Sequence, residues 1–270
     1  MRRRLSMQNL LAALIISASA GFGASIGVTS IRQAGAPLDT STRNEAEHAV
    51  DVAAAWLAAH QSADGSWGAE SGRVTRTAVA LVALTSRWGR HSDACVRAAV
   101  WLDGHSPATN ELSDARAWRA IALLGATPDA PGRSNLTARL LHESLPFAPA
   151  TNACLVSRLL WSEALAPAPR PPAPGQPPGG ERLLGDLAAG WPPPAASQPD
   201  SLWPAAYLIN RLADGVLSRG GQPLDWRRDL AQILLNSQRR DPAGGGFWGG
   251  PTQDDRVRQT AFGILALGGL

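Results

Sequence analysis

From Ala49 onward the apolar positions recur at three- and four-residue spacing, as Ala49, Val52, Ala53, Trp56 and Leu57. That is the stripe of an amphipathic helix packed along one side. The polar turn "SADGS" at 62–66 ends it. The next apolar run, "TAVALVAL" from Thr77 to Leu84, is apolar all round and built of Ala and Leu where a strand would favour Ile and aromatics. It predicts a buried helix. The two runs predict helices over 46–60 and 77–86, joined as an antiparallel hairpin.

The same pattern returns at the carboxyl end. Gln61 aligns with Gln238, Gly65-Ser66-Trp67-Gly68 with Gly246-Phe247-Trp248-Gly249, and the run Thr77–Leu84 with Thr260–Leu267. Weaker copies lie between: Trp101-Leu102 followed by "ARAWRAIALL" (115–124), "TARLLHESLPF" with "TNACLVSRLLW" (137–161), and Gly190-Trp191 followed by "SLWPAAYLINRL" (201–212). This predicts about five helical hairpins, the middle three degenerate. The proline-rich stretches "APAPRPPAPGQPPGG" (166–180) and "WPPPAASQP" (191–199) cannot continue a helix and are expected as loops between hairpins.

The amino terminus adds a localisation. Arg2, Arg3 and Arg4 precede an apolar core from Leu10 to Ile16, and Ala18-Ser19-Ala20 makes a small-residue cleavage site, so the mature chain is expected to start near Gly21. The stretch from Gln8 to Ile31 carries no charge, which also admits an uncleaved membrane anchor. The expected organisation is a signal peptide or anchor over 1–31, a linker over 32–45 and a repeat domain over 46–270. Export, to the periplasm or the exterior, would place Cys95 and Cys154 where a disulfide can form, although two isolated cysteines also fit as small buried residues. All 25 cationic side chains are Arg, scattered along a chain of net charge +3, which gives no basic face for nucleic acid.

The residues Trp56-Leu57-x-x-x-Gln61 with Gly65-x-Trp67 resemble the Gln-Trp repeat of the squalene-hopene and oxidosqualene cyclases, whose relatives include protein prenyltransferase beta subunits. Good copies stand at 56–84 and 233–267, and the weaker copies extend the resemblance over most of 46–270. The resemblance implies an all-α fold, an α/α toroid that is incomplete or degenerate here, with inner helices such as 77–86 and 260–268 around a central cavity. Helices such as 46–60 and 228–237 would lie outside. It also implies that the turn residues Trp56, Gln61, Gly65, Trp67, Gln238, Gly246 and Trp248 clamp hairpins together, the Gln amide bonding to backbone at a neighbouring helix. Gly244, Gly246 and Gly249 match a G-x-G-x-x-G pattern by accident, with no strand ahead of them.

The cyclases of that family carry an acid motif, D-x-D-D-T-A, on an inner helix. Here Arg256-Val257-Arg258-Gln259 precedes Thr260-Ala261, and Arg73-Val74-Thr75-Arg76 precedes Thr77-Ala78, so both positions lack Asp. An Arg cannot donate the proton. The nearest carboxylate pair, Asp254-Asp255, is the weak catalytic candidate and reads better as a solvated cap in the turn. The prenyltransferase branch holds zinc with an Asp, a Cys and a His; Asp93-x-Cys95 matches two of them, but no His follows in an inner-helix register. His48, His60, His91, His105 and His142 lack H-E-x-x-H spacing and are expected at surfaces and interfaces.

These readings lead to an exported helical repeat protein that takes no metal or cofactor and binds an isoprenoid, another lipid or a protein partner, with membrane association through its amino terminus as an option. The competing reading is a divergent cyclase or transferase, or one half of a two-chain toroid.

Overall fold

The computed structural model describes residues 37–69, 72–107, 113–126, 180–212 and 216–270. The protein is mainly helical, and eight helices lie among the described residues: α1 Thr40–Ala59, α2 Arg73–Trp88, α3 Asp93–Gly104, α4 Ser113–Ala126, α5 Gly180–Ala189, α6 Pro199–Leu212, α7 Trp226–Ser237 and α8 Gln253–Gly268. Two short antiparallel ladders accompany them, β1 Ser218–Arg219 with β2 Gln222–Pro223, and β3 Arg239–Arg240 with β4 Gly246–Phe247. The amino-terminal segment, the runs expected at 137–161, Cys154 and most of the 166–180 loop lie outside the described residues. No described helix is long and apolar enough to cross a membrane.

Hydrophobic spacing located the helices, and capping sets where they begin. The Asp39 carboxylate accepts from the Thr42 backbone N–H at 3.0 Å and from its hydroxyl at 2.8 Å, so α1 starts at Thr40 and takes in part of the expected linker. Thr252 plays the same part for α8 by accepting from the Asp255 N–H at 3.1 Å. The first turns of α2 and α8 are polar, which is why the apolar runs alone place both starts too late. Within α6 stands Pro204, which contributes no N–H to the helix ladder.

Each odd-numbered helix packs on the even-numbered helix that follows it, giving the hairpins α1–α2, α3–α4, α5–α6 and α7–α8. The even-numbered helices also pack on one another: α2 lies against α4 and α8, and α8 against α6. Burial follows from this. Val74, Thr77 to Leu81, Ala83 and Leu84 of α2 are buried, as are Val257, Gln259 to Ala261, Gly263, Ile264, Ala266 and Leu267 of α8. In α7, by contrast, buried positions are confined to Trp226, Leu230, Ala231 and Leu234. The last hairpin rests on the first, because α8 and β4 both pack against α1.

One glycine shows how closely the turns approach their neighbours. Gly65 has φ +93°, and a Cβ placed there would lie 2.6 Å from the Arg97 carbonyl oxygen on α3. Gly89 has φ +75°, but nothing lies within 4 Å of such a Cβ. Gly89 pairs that φ with ψ 167°, an extended positive-φ region open essentially to glycine, so Gly89→Ala should show this backbone strain alone, about 1–3 kcal/mol. Gly65→Ala should add an overpacking cost of about 1–3 kcal/mol to it. Urea unfolding of the two variants checks the order, and equal losses would contradict the packing described.

Candidate functional site

The two Gln-Trp turns share the same tryptophan bonds. Trp67 donates its indole N–H to the Leu57 carbonyl near the end of α1 at 2.7 Å, and Trp248 donates to the Leu234 carbonyl near the end of α7 at 2.8 Å. Both rings are fully buried. The backbone N–H of Trp67 reaches the Thr77 hydroxyl at 3.0 Å, and that of Trp248 reaches the Thr260 hydroxyl at 3.0 Å. Each Trp thus ties the last turn of one helix to the first turns of its hairpin partner. It adds a second donor to carbonyl groups near a helix end that already accept a backbone N–H, from His60 at Leu57 and from Gln238 at Leu234. Gly263 makes room for this in α8, where a Cβ would fall 2.5 Å from Trp248 Cε3.

The glutamines reach further, to the next hairpin. Gln61 Nε2 donates to the Ala94 carbonyl on α3 at 2.9 Å, and Arg97 Nε donates to Gln61 Oε1 at 3.1 Å. Gln238 Nε2 donates to the Ala49 carbonyl on α1 at 2.8 Å. Ala94 stands seven residues before Trp101 and Ala49 seven before Trp56, so the two acceptors are equivalent positions. Two glycines pack against the neighbouring helix in the second turn, Gly245 against its backbone and Gly246 against the Val52 side chain. Gly245 has φ +88° and faces the Val52 carbonyl, the counterpart of Arg97, whereas Gly246 belongs to β4 and packs beside the Gln238 amide. The longer glycine run in this turn shifts the correspondence by one residue. Gly244, Gly246 and Gly249 contact no parallel sheet among the described residues.

The weaker copy at Trp101-Leu102 and 115–124 is closed in another way, which its sequence did not disclose. The Leu102 carbonyl is the counterpart of Leu57 and Leu234, and it accepts from Arg119 Nε at 2.9 Å, with Arg119 98% buried within α4. A guanidinium from the second helix of the hairpin does there what an indole from the turn does in the α1–α2 and α7–α8 hairpins. The only signal would have been Arg119 itself, a charge inside an apolar run.

Trp56 has a different task. Its indole N–H donates to Asp241 Oδ2 at 2.7 Å in the last turn, and its ring stacks on His60 at 4.0 Å and on Phe247 at 5.3 Å. Trp101 stacks on His105 in the same way at 4.1 Å, while the Arg73 guanidinium lies 5.1 Å from the Trp101 ring. The Trp56 N–H, the Ala243 N–H and the nearby His60 and Arg256 hold the Asp241 carboxyl below the usual carboxylate range.

Where the even-numbered helices meet, their rings converge. Trp118 of α4, Trp203 of α6 and Phe262 of α8 lie 5.3, 5.7 and 5.5 Å apart pairwise, and Tyr207 stacks on Trp203 at 5.6 Å. In repeat register Val79, Trp118, Trp203 and Phe262 each stand two residues after Thr77, Arg116, Ser201 and Thr260. Three of these four equivalent positions thus carry an aromatic ring, a grouping that overall composition conceals.

The carboxylate pair is engaged rather than merely solvated. Asp254 and Asp255 lie in the first turn of α8, with side chains 33% and 31% exposed. Asp254 accepts from the Ala69 N–H at 3.0 Å and pairs with Arg76 at 3.0 Å, tying the first turn of the chain to the last helix. Asp255 accepts from the Gly250 N–H and stands 3.7 Å from Arg258, which also pairs with Asp200 at 3.0 Å. The position before Thr260 is filled by Gln259, 98% buried, whose Oε1 accepts the Asp200 N–H at 3.1 Å at the start of α6. Its counterpart Arg76 is bound to Asp254 and to the Ala69 carbonyl. Cys95 is buried as a free thiol in α3, and no metal-binding group of three His, Cys, Asp or Glu occurs among the described residues.

Among protein-family models, curated proteins and solved structures, nothing matches this chain. The resemblance to the Gln-Trp repeat therefore stands on the residues just described.

Truncating Trp67 or Trp248 to Ala should destabilise the chain by about 3–5 kcal/mol each. Thr77→Val or Thr260→Val, which strands a buried N–H, should cost about 1–3 kcal/mol. Chemical unfolding measures both, and a wild-type midpoint in Trp67→Ala would remove the clamp. Asp241 supplies a pH test. With its carboxyl held low in the folded chain, its contribution is whole above about pH 4 and drains as pH falls through the folded value. The stability gap between the parent chain and Asp241→Asn should therefore narrow on acidification below about pH 4.

Proposed function

We propose that this chain is an exported α/α toroid of the terpene cyclase and prenyltransferase type that binds an apolar lipid, of isoprenoid character, without cyclising it. The ring arrangement is supported by the repeated Gln bond. Gln61 joins the first hairpin to the outer helix of the second, and Gln238 joins the last hairpin to the equivalent carbonyl of the first. Bonds of this kind from the first hairpin to the second and from the last to the first are what a ring of hairpins, incomplete or degenerate in its middle, requires.

The observation that carries the lipid reading is the convergence of Trp118, Trp203, Tyr207 and Phe262 from three even-numbered helices. Flat, weakly polar faces gathered in one place suit an extended apolar ligand with few polar anchors. The case against cyclisation rests on the acid positions. Protonating an alkene needs a carboxylic acid of tuned strength facing the ligand. Arg76 and Gln259 stand where the acids would be, and both are committed to hydrogen bonds that join hairpins. Asp254 and Asp255 face arginines and backbone N–H groups at the helix starts.

The reading is tested by organic extraction of protein purified from its native host, followed by mass spectrometry. An isoprenoid or other lipid should be recovered in near-stoichiometric amount, and Trp203→Ala should reduce the yield at unchanged helix content. In parallel, incubation with squalene or oxidosqualene in detergent should yield no cyclic product by gas chromatography. Cyclic products that vanish in Asp254→Asn or Asp255→Asn would make the chain an enzyme. An empty protein that co-purifies with another polypeptide would make it a protein-binding ring.

A further inference from the structure

We propose that Gln259 is a positioning residue for the apolar site: by closing the start of α6 from α8 it holds Trp203 and Tyr207 in the ring cluster, and lipid is retained only while it does so. The inference rests on the reading of that cluster as a lipid site. A helix start leaves N–H groups without partners in the helix, and in α6 they can be followed one by one. Pro199 has none, and those of Ser201 and Leu202 turn back to the Gln198 carbonyl at 3.0 and 3.2 Å. The Asp200 N–H goes across to Gln259 Oε1 on α8 at 3.1 Å. Gln259 is buried, so its oxygen is held at this spot rather than turned to solvent. Arg258, the residue before it, pairs with the Asp200 carboxylate at 3.0 Å. Two consecutive residues of α8 thus grip the backbone and the side chain of one residue of α6.

The first turn of α6 needs this grip. Pro204 cannot donate to the Asp200 carbonyl, as the residue four positions on ordinarily does, so the helix has one rung fewer beside the clasp. The clasp and the cluster also share one stretch of each helix. Trp203 stands three residues after Asp200 and Phe262 three after Gln259, close to one turn along each, and their rings meet at 5.5 Å. Tyr207, a further turn along α6, stacks on Trp203, and Trp118 reaches Trp203 from α4. As a helix α6 packs on α8, and more lightly on α5 and α7. Its two rings therefore take their place from α8, and Gln259 and Arg258 supply polar bonds across that contact.

The equivalent residue of α2 does a comparable task. Arg76 reaches the first turn of α8 through Asp254. The register at which the resemblance would put an acid serves here to tie the starts of neighbouring even-numbered helices together. The copy that leads to α6, the helix with two of the clustered rings, is that of Gln259.

Gln259→Leu is similar in bulk and removes the oxygen. Near-ultraviolet circular dichroism of the full chain reads the packing of the rings, and organic extraction with mass spectrometry reads the lipid carried per chain. Gln259→Leu should lose the part of the ring signal that Trp203→Ala loses, and carry several-fold less lipid than the parent at unchanged helix content. Combined with Trp203→Ala it should cost no further lipid, because both act through one ring. Thr77→Val, which strands a buried N–H in the α1–α2 hairpin, is the control for lost stability alone. It should unfold earlier and keep both lipid and ring signal. Arg258→Met, at an exposed position, should give a weaker loss in the same direction, and it decides the matter where Gln259→Leu does not fold. Ring signal or lipid that stays at the parent level when the clasp is cut, a further loss on top of Trp203→Ala, or an equal loss in Thr77→Val would each overturn the proposal. A parent chain that carries no lipid would overturn the lipid reading and the proposal with it. A ring signal that still depends on Gln259 would mark that failure as one of the lipid reading rather than of the clasp.

Discussion

The fold depends on how the ends of its helices are satisfied. A hairpin of two short helices exposes carbonyl groups at the end of the first and N–H groups at the start of the second. Each of these costs free energy when buried without a partner. In the α1–α2 and α7–α8 hairpins one tryptophan bonds to both helices: its indole N–H donates to a carbonyl near the end of the first, and its own backbone N–H, buried in the turn, donates to a threonine hydroxyl on the second. The ring itself fills the wedge between them. Because the polar bonds and the apolar burial come from the same side chain, neither can be kept when the other is removed.

The α3–α4 hairpin shows that the need is chemical rather than specific to tryptophan. Arg119 meets the Leu102 carbonyl from the opposite helix, and its second nitrogen reaches the Asp103 carbonyl at 3.3 Å. A buried guanidinium with carbonyl partners is a costlier way to close a helix end than an indole, because the charge must be desolvated. Its placement frees the α3–α4 turn from carrying an aromatic residue. Trp118 meanwhile joins the cluster with Trp203 and Phe262, so the hairpin that lacks a staple tryptophan contributes one to the centre.

The sequence disclosed the helices and the staples more fully than it disclosed the centre. Apolar spacing located α1, α2 and α8 because packing on one face leaves a periodic record. The Gln and Gly-x-Trp landmarks marked the turns, although seven residues part Gln238 from Gly246 where three part Gln61 from Gly65. What was missed is what spacing does not encode. The start of α1 is set by the Asp39 cap. The role of Gly245 depends on where the neighbouring helix lies. Asp254 and Asp255 resemble free carboxylates until Arg76 arrives from a helix 178 positions earlier in the chain. The aromatic cluster is scattered over three helices, and only the repeat register connects its members.

The bond from Gln238 to the Ala49 carbonyl and the bond from Trp56 to Asp241 join residues 189 and 185 positions apart. On a ribosome adding about 5–20 residues per second, roughly 10–40 s pass between the emergence of α1 and that of its partners. For that interval the Trp56 face of α1 waits for Asp241 and Phe247, its partners in the folded chain. Among the described helices α1 is made first, yet its contacts are completed only by the last.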